Sequence, residues 1–232
     1  MNKLLLVTTL CLSFFLTACT KTSTPTDTTM TGKQELPAYM SGNYDALQHY
    51  LNLRSQNLTQ MPDICTDITI YPATGTSRAG NILYDIRYID LGDNQITDIN
   101  ADYGCLPNLQ ELNLSYNKIT SIENLEKLTF LSKLQLHKNQ ITKIKWLDKL
   151  TKLSELNLGY NQLTSVKWLE ANKNLITLEL QHNQITDIGR LANLRNLETL
   201  KVEYNQIKDP IQFAAIKEAI TWLKNFTTWG NM

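Results

Sequence analysis

The residues of this chain that could do chemistry are few: four cysteines, three histidines, and a recurring column of aromatic and charged side chains. Cys19 ends the run Leu16-Thr17-Ala18-Cys19, which follows Lys3 and an apolar stretch from Leu4 to Leu16. That stretch is too short to span a bilayer, and it reads as an export signal with a small-residue cleavage site after Ala18. Cys11 leaves with the signal, so Cys65 and Cys105 remain as a pair besides Cys19. In an exported chain such a pair points to a disulfide; the alternative is two buried free thiols. A metal fits them less well, because no histidine or carboxylate cluster accompanies them. His49 lies outside the recurring column, and His137 and His182 fall in different columns of it, too far apart for one metal or one proton relay. Paired catalytic carboxylates, a nucleophile with its base and a glycine-rich phosphate loop are all missing from the sequence, so the chain is expected to be no enzyme and to need no cofactor.

The column consists of Asp93, Tyr116, Lys138, Tyr160, His182 and Tyr204, each standing immediately before an asparagine. Tyr116, Tyr160 and Tyr204 alternate along it. Rigid amphipathic side chains of this kind are favoured anchors in protein interfaces; the other use for them is to pack over their neighbours and support the turn. Two further columns run alongside. One is Asp90, Asn113, Gln135, Asn157, Glu179 and Lys201; the other is Tyr88, Glu111, Lys133, Glu155, Thr177 and Thr199. Their mixed polarity suits a hydrogen-bonding protein interface better than an apolar ligand groove. The partner-binding candidates are therefore Tyr88, Asp90, Glu111, Asn113, Tyr116, Gln135, Lys138, Asn157, Tyr160, Glu179, His182, Lys201 and Tyr204. Nucleic acid is not an expected partner: 22 basic residues face 22 acidic ones, and loss of Lys3 with the signal leaves 21 against 22, a net charge of −1.

What positions these residues is a repeat. The asparagines Asn94, Asn117, Asn139, Asn161, Asn183 and Asn205 are separated by one step of 23 residues and four of 22. Aligned on them, six copies read LxxLxLxxNxIxxIxxLxxLxx, as in Leu131, Leu134, Leu136, Asn139, Ile141 and Ile144. A period of this size means a solenoid. The last two leucines of LxxLxL are two apart, so both point to one side of a short strand. No copy can bury its leucines alone, and stability must come from stacking. The asparagine sits where the strand turns away, and its amide can satisfy backbone groups coil after coil. Threonines 97, 120, 142, 164 and 186 form a candidate second ladder.

These units resemble bacterial leucine-rich repeats of the 22-residue class found in internalins. The resemblance covers Ile86 to Ile207, about half of the chain, and implies an α/β solenoid: a curved leucine-rich repeat with a short parallel sheet on its concave face, presented to a protein partner. Likewise, Leu16 to Cys19 resembles a bacterial lipobox, which implies lipid modification of Cys19. Thr20 after it implies the outer membrane if the source is Gram-negative.

The expected organisation is a lipoprotein signal peptide at 1–18, a flexible threonine-rich tether at 19–35, an N-terminal cap at 36–85, repeats at 86–209 and a C-terminal capping helix at 210–232. In the cap, Leu51 to Met61 fits the unit with Gln56 in place of the asparagine, and Tyr44 to Tyr50 is a candidate short helix. Gln56 to Asn94 is 38 residues, so an insertion is expected near Tyr71 to Asn81, either a binding loop or an elaboration of the cap. Phe213, Ile216, Ile220 and Leu223 recur at helical spacing after Pro210. Trp146 and Trp168, at equivalent positions in consecutive copies, should stack on the convex side, as a packing pair or a second contact site. The function expected is that of a monomeric, lipid-anchored envelope protein that binds a protein partner, in host adhesion or virulence. The alternative is an envelope scaffold facing the periplasm, and a lesser one an enzyme or small-ligand protein using the 61–84 loop.

Overall fold

The computed structural model describes residues 44–45, 49–65, 86–100 and 103–231. The export signal with Cys19, the tether and the insertion at 71–81 lie outside the described residues. Each coil contributes one very short strand: β1 (Tyr44–Asp45), β2 (Tyr50–Asn52), β3 (Tyr88–Asp90), β4 (Glu111–Asn113), β5 (Lys133–Gln135), β6 (Glu155–Asn157), β7 (Thr177–Glu179), β8 (Thr199–Lys201) and β9 (Asn225–Thr227). They form one sheet in chain order, with β2 to β9 parallel and β1 antiparallel to β2. Register is straight: Leu112, Leu134, Leu156, Leu178 and Leu200 face one another from strand to strand, so equivalent positions form columns. The return legs of five coils carry 3₁₀ turns, at Tyr103–Cys105, Glu123–Lys127, Lys145–Lys149, Lys167–Ala171 and Gly189–Asn193. Strands stack about 4.8 Å apart, and 3₁₀ turns with their side chains need more room, so the stack curves with the strands on the inner side.

The repeat leucines and isoleucines are buried in one continuous core between the two sides. Burial of each stabilises by roughly 1.5–3 kcal/mol, and the contacts come from neighbouring coils. One core column breaks the rule. Asn172 stands where the copies before and after have Leu150 and Leu194, is fully buried, and donates its amide to the carbonyls of Leu147 and Leu150 at 2.9 and 2.8 Å.

The asparagines hold the coils together. Asn161 Nδ2 donates to the carbonyls of Leu158 in its own coil and Leu136 in the preceding one, both at 3.0 Å, while its Oδ1 accepts the N–H of Ile141 at 3.0 Å. Asn94, Asn117, Asn139, Asn183 and Asn205 repeat this pattern. All six keep only 5–8% of their surface exposed. A seventh rung closes the array: Asn231 Nδ2 donates to Val202 and Thr228 carbonyls. At the other end Gln56 fills the rung position, its own backbone N–H bonded to Asn94 Oδ1 at 2.9 Å. The threonine series does not form a second ladder, since Thr97, Thr120, Thr142, Thr164 and Thr186 are all exposed.

Both caps differ from expectation. In place of a helix over Tyr44 to Tyr50, β1 pairs with β2 as a hairpin, with Tyr44 opposite Leu51. The physical reason is the open sheet edge, whose backbone groups a strand can satisfy and a helix cannot. At the C-terminus a helix, α1 (Ile211–Ala219), is much shorter than 210–232. Asp209 Oδ1 accepts the N–H of Ile211 at 2.9 Å and starts it. The chain then turns and adds β9 to β8, with Leu200 opposite Phe226. Cys65 and Cys105 are joined by a disulfide, with their Cα atoms 5.8 Å apart. Trp146 and Trp168 lie half-buried against the core in consecutive 3₁₀ turns and make no ring contact with each other; Lys167 Nζ sits 4.7 Å from the Trp168 ring. No helix among the described residues is long and apolar enough to cross a membrane.

Asn161→Ala should cost about 3 kcal/mol in chemical denaturation, because it strips partners from buried carbonyls and from the Ile141 N–H. Asn174→Ala serves as the control, since Asn174 is an exposed asparagine bonded only to the Thr151 carbonyl. A loss for Asn161→Ala no larger than the control's would remove the ladder from the stability of the stack.

Candidate protein-binding face

Four columns of side chains cover the strand side. The first is Tyr88, Glu111, Lys133, Glu155, Thr177, Thr199 and Asn225; the second is Asp90, Asn113, Gln135, Asn157, Glu179, Lys201 and Thr227. These residues flank the buried central residue of each strand and are half-exposed from Tyr88 to Lys201. Many are tied together across coils. Lys133 pairs with Glu155 at 3.0 Å. Glu179 pairs with Lys201 at 2.7 Å and accepts from Asn157 at 2.9 Å. Asp90 accepts from Asn113 at 3.0 Å and from the Tyr50 hydroxyl at 3.4 Å. Burial and the Asp90 carboxylate push the Tyr50 hydroxyl above its usual pKa, and the hydrogen bond from Lys133 to Glu155 raises the Lys133 ammonium.

The fourth column is the one before the asparagines, and its backbone is unusual. Asp93, Tyr116, Lys138, Tyr160, His182 and Tyr204 all have φ between 50° and 56°, in the left-handed region. A residue with a Cβ is disfavoured there by roughly 1–2 kcal/mol. Each N–H is nevertheless engaged by the carbonyl of the following coil, as for Tyr160 to Gln181 at 2.8 Å. In the last coil the same place is taken by Gly230, at φ 73°, and a side chain there would collide with the Tyr204 ring.

This backbone turns the side chains outward into a ladder. Tyr116, Tyr160 and Tyr204 are 41–44% exposed. They are not isolated prongs, because the residues between them fill the gaps. Lys138 Nζ lies 4.6 Å from the Tyr116 ring and 5.5 Å from that of Tyr160. The His182 ring is stacked between Tyr160 and Tyr204, 4.1 Å from each. Trp229 extends the series edge-on to Tyr204 at 4.6 Å. The tyrosines thus pack on their neighbours, as one of the two sequence alternatives has it, while staying exposed.

A third column, between the second and fourth, was missed by sequence reasoning: Gly92, Ser115, His137, Gly159, Gln181, Glu203 and Trp229. Its members share no residue type, so only strand register reveals them. His137 meets Tyr116 edge-on at 4.9 Å, and the two glycines are crowded by neighbouring side chains, Gly159 by Gln181. His137 and His182 occupy different columns, and among the described residues no group of three or more histidines, cysteines or carboxylates could hold a metal.

Leucine-rich repeat models, described as "Leucine Rich repeats (2 copies)", match residues 85–127, 129–171 and 173–214, together more than half of the chain. The chain belongs to the leucine-rich repeat family. Among solved structures its repeats are similar to those of an internalin from Listeria monocytogenes, with 28% identity over 76% of this chain and 46% of that one and a TM-score of 0.58. Internalin C2 of the same organism is 27% identical over 78% of this chain and 80% of that one, with a TM-score of 0.58. A leucine-rich repeat protein of Leptospira interrogans shares the fold, at 21% identity over 78% of this chain and 54% of that one and a TM-score of 0.59. The chain thus spans about half the length of the first of these internalins. No curated protein matched the sequence.

Within the repeat face one group carries a pH response. Burial lowers the pKa of His137, with Lys138 and Arg54 acting in the same direction and Glu179 opposing. The unfolded chain therefore takes up this proton at a higher pH than the folded one. Stability from neutral His137 is present above the ordinary value of 6.5 and is lost as pH falls through the lower folded value. NMR titration should place the His137 midpoint below 6.5; a midpoint at or above that value would show that the ring is solvated.

Proposed function

We propose that this protein is a lipid-anchored envelope protein whose strand face binds another protein, with the ladder from Tyr116 to Trp229 as the anchoring edge. The observation that carries the reading is the combination of exposure and rigidity in these rings. Three tyrosines are open to solvent and yet held by Lys138 and His182. Binding then costs little side-chain entropy, which is what makes ordered aromatic residues effective hot spots. The polar columns beside the ladder supply orientation through hydrogen bonds. The internalin-like repeats support a protein as the partner. The anchor rests on Lys3, the apolar run to Leu16 and the Leu16-Thr17-Ala18-Cys19 sequence; a chain carrying both acyl and diacyl groups is held far more firmly than by one lipid.

Tyr160→Asn combined with Tyr204→Asn tests the face without disturbing the fold, because asparagine tolerates the left-handed backbone. Crosslinking in intact cells followed by affinity purification should recover a partner with the wild type and at least ten-fold less of it with the double variant. Equal recovery would place the interface elsewhere. Cys19→Ala should move the protein from the detergent phase to the aqueous phase in Triton X-114 partitioning, and retention in the detergent phase would refute the anchor. Protease shaving of intact cells then sorts host adhesion from scaffolding: cleavage places the face outside the cell, and full protection places it in the periplasm.

A further inference from the structure

At the end of the strands away from the asparagine ladder, where the return legs enter the sheet, Ser154, Asn174, Ile176, Asn196, Glu198 and Trp222 line an open cleft of about 500 Å³. Two of them are apolar groups that the core does not use. Trp222, in the turn after α1, is 70% exposed, and Ile176 is 43% exposed. The residues equivalent to Ile176 in the flanking coils are Ser132, Ser154 and Glu198, so the stack does not require an apolar side chain there. An indole and an isoleucine left open in one cleft mark a contact surface.

The polar groups of the cleft are fixed in place and only partly spent. Asn174 Nδ2 donates to the Thr151 carbonyl at 2.8 Å, and Asn196 Nδ2 to the Lys173 carbonyl at 2.9 Å. These bonds orient the two amides one coil apart. Among the described residues no donor meets either Oδ1, and neither oxygen is sealed from water. Ser154 Oγ donates to the Ser132 carbonyl at 3.0 Å and keeps its lone pairs. Glu198 is neutralised by Lys224 at 2.8 Å, so the cleft carries no net charge. The main chain along this edge offers nothing further. The carbonyls of Ser154, Ile176 and Glu198 each already accept two N–H groups of the next coil. An extended peptide therefore finds no ladder to join here.

We infer that this cleft is a binding site for an uncharged sugar ring. A pyranose has a C–H face that lies flat on an indole and a rim of hydroxyls that both donate and accept. Those hydroxyls can donate to the amide and serine oxygens and accept the N–H that each asparagine has left over. The chemistry of the lining is that of a small-ligand cleft, an apolar platform with a few placed polar groups. Because the coil before holds each amide, little side-chain entropy is lost on binding. An apolar ligand would strip water from the amide oxygens without replacing its hydrogen bonds. A charged ligand would have to compete with the Glu198–Lys224 pair for its partner. The site lies at the opposite end of the strands from the aromatic ladder, and the inference does not rest on the protein-binding reading of that face.

The test follows the purified full-length chain by ¹H–¹⁵N NMR during titration with cellotriose, maltotriose and chitotriose, and with Ac-Ala-Leu-Ala-NH2 as an uncharged peptide. At least one trisaccharide should give saturable shifts at the Trp222 indole and at the Asn174 and Asn196 side-chain amides, and the peptide none. Trp222→Ala should weaken that sugar at least ten-fold, whereas Trp222→Phe, which keeps a ring for the sugar to lie on, should bind it within a few-fold of the wild type. Ile176→Ser, the residue type of the two preceding coils, leaves the stack intact and should weaken the sugar several-fold. No saturable shift with any of the three sugars, an equal response to the peptide, or unchanged affinity in Trp222→Ala overturns the inference. Tyr160→Asn combined with Tyr204→Asn should leave sugar binding unchanged. Its loss in that variant would assign the shifts to the ladder and overturn the cleft as the site.

Discussion

The structure depends on what happens to the strand backbone when it turns. A three-residue strand satisfies its own amides against its neighbours, but the carbonyls just past its end point inward at a place where water cannot reach. The asparagine side chain is the group that fits there. Its amide nitrogen takes one carbonyl from its own coil and one from the coil before, while its oxygen takes an N–H of the coil before, as Asn139 does with Leu136, Leu114 and Ile119. An aspartate would lack the donors and a leucine both kinds of group. Because each asparagine bonds across a coil boundary, the ladder both caps strands and sets their stacking, and the straight columns of the face follow from it.

The same turn also creates the exposed aromatic ladder. To bring the asparagine inward in so few residues, the preceding residue adopts a left-handed backbone, which throws its side chain out of the stack. Glycine would do this most easily, and Gly230 does. Elsewhere the position holds tyrosine, lysine, histidine, aspartate or, at Ser55, serine despite the backbone cost. Packing between coils offsets part of that cost, since His182 gains two stacked partners and Lys138 two ring faces. A surface of this kind is stiff because it is built on a strained turn that seven rungs hold in place.

Much of the architecture can be read from spacing. Six copies in strict register expose the core leucines, the ladder and the first two columns of the face, and Gln56 is recognisable as a rung because Leu51 and Leu53 precede it. The parts that escape do so for physical reasons. Asn231 follows Asn205 by 26 residues rather than 22, because α1 replaces the 3₁₀ turn. Phe226 and Thr228 stand in the leucine positions, so the last coil reads as the end of a helix. Positive φ leaves no trace when glycine is not used. The third face column is invisible because position alone, and no shared chemistry, defines it. The column of tyrosines was legible in the sequence; that Lys138 and His182 complete a continuous stack with them required the actual ring positions.

The two ends of the stack meet different demands. Each exposes one open sheet edge and one open end of the apolar core. At the N-terminal end the hairpin of β1 satisfies the edge, and Ile64 and Met61 close the core near the Cys65–Cys105 disulfide. At the C-terminal end α1 and β9 divide the work: Ile216 and Ile220 cover the apolar interior, while Asn225 to Thr227 extend the sheet by one strand. That extra strand also extends the columns of the strand side. It brings Thr227 and Trp229 into line with Lys201, Glu203 and Tyr204, so the cap continues the strand-side columns instead of merely ending them. A helix running on to residue 227, as the spacing of Phe213, Ile216, Ile220 and Leu223 predicts, would have sealed the core equally well. It would have left Glu203 without Trp229 beside it, and the aromatic ladder would have stopped at Tyr204.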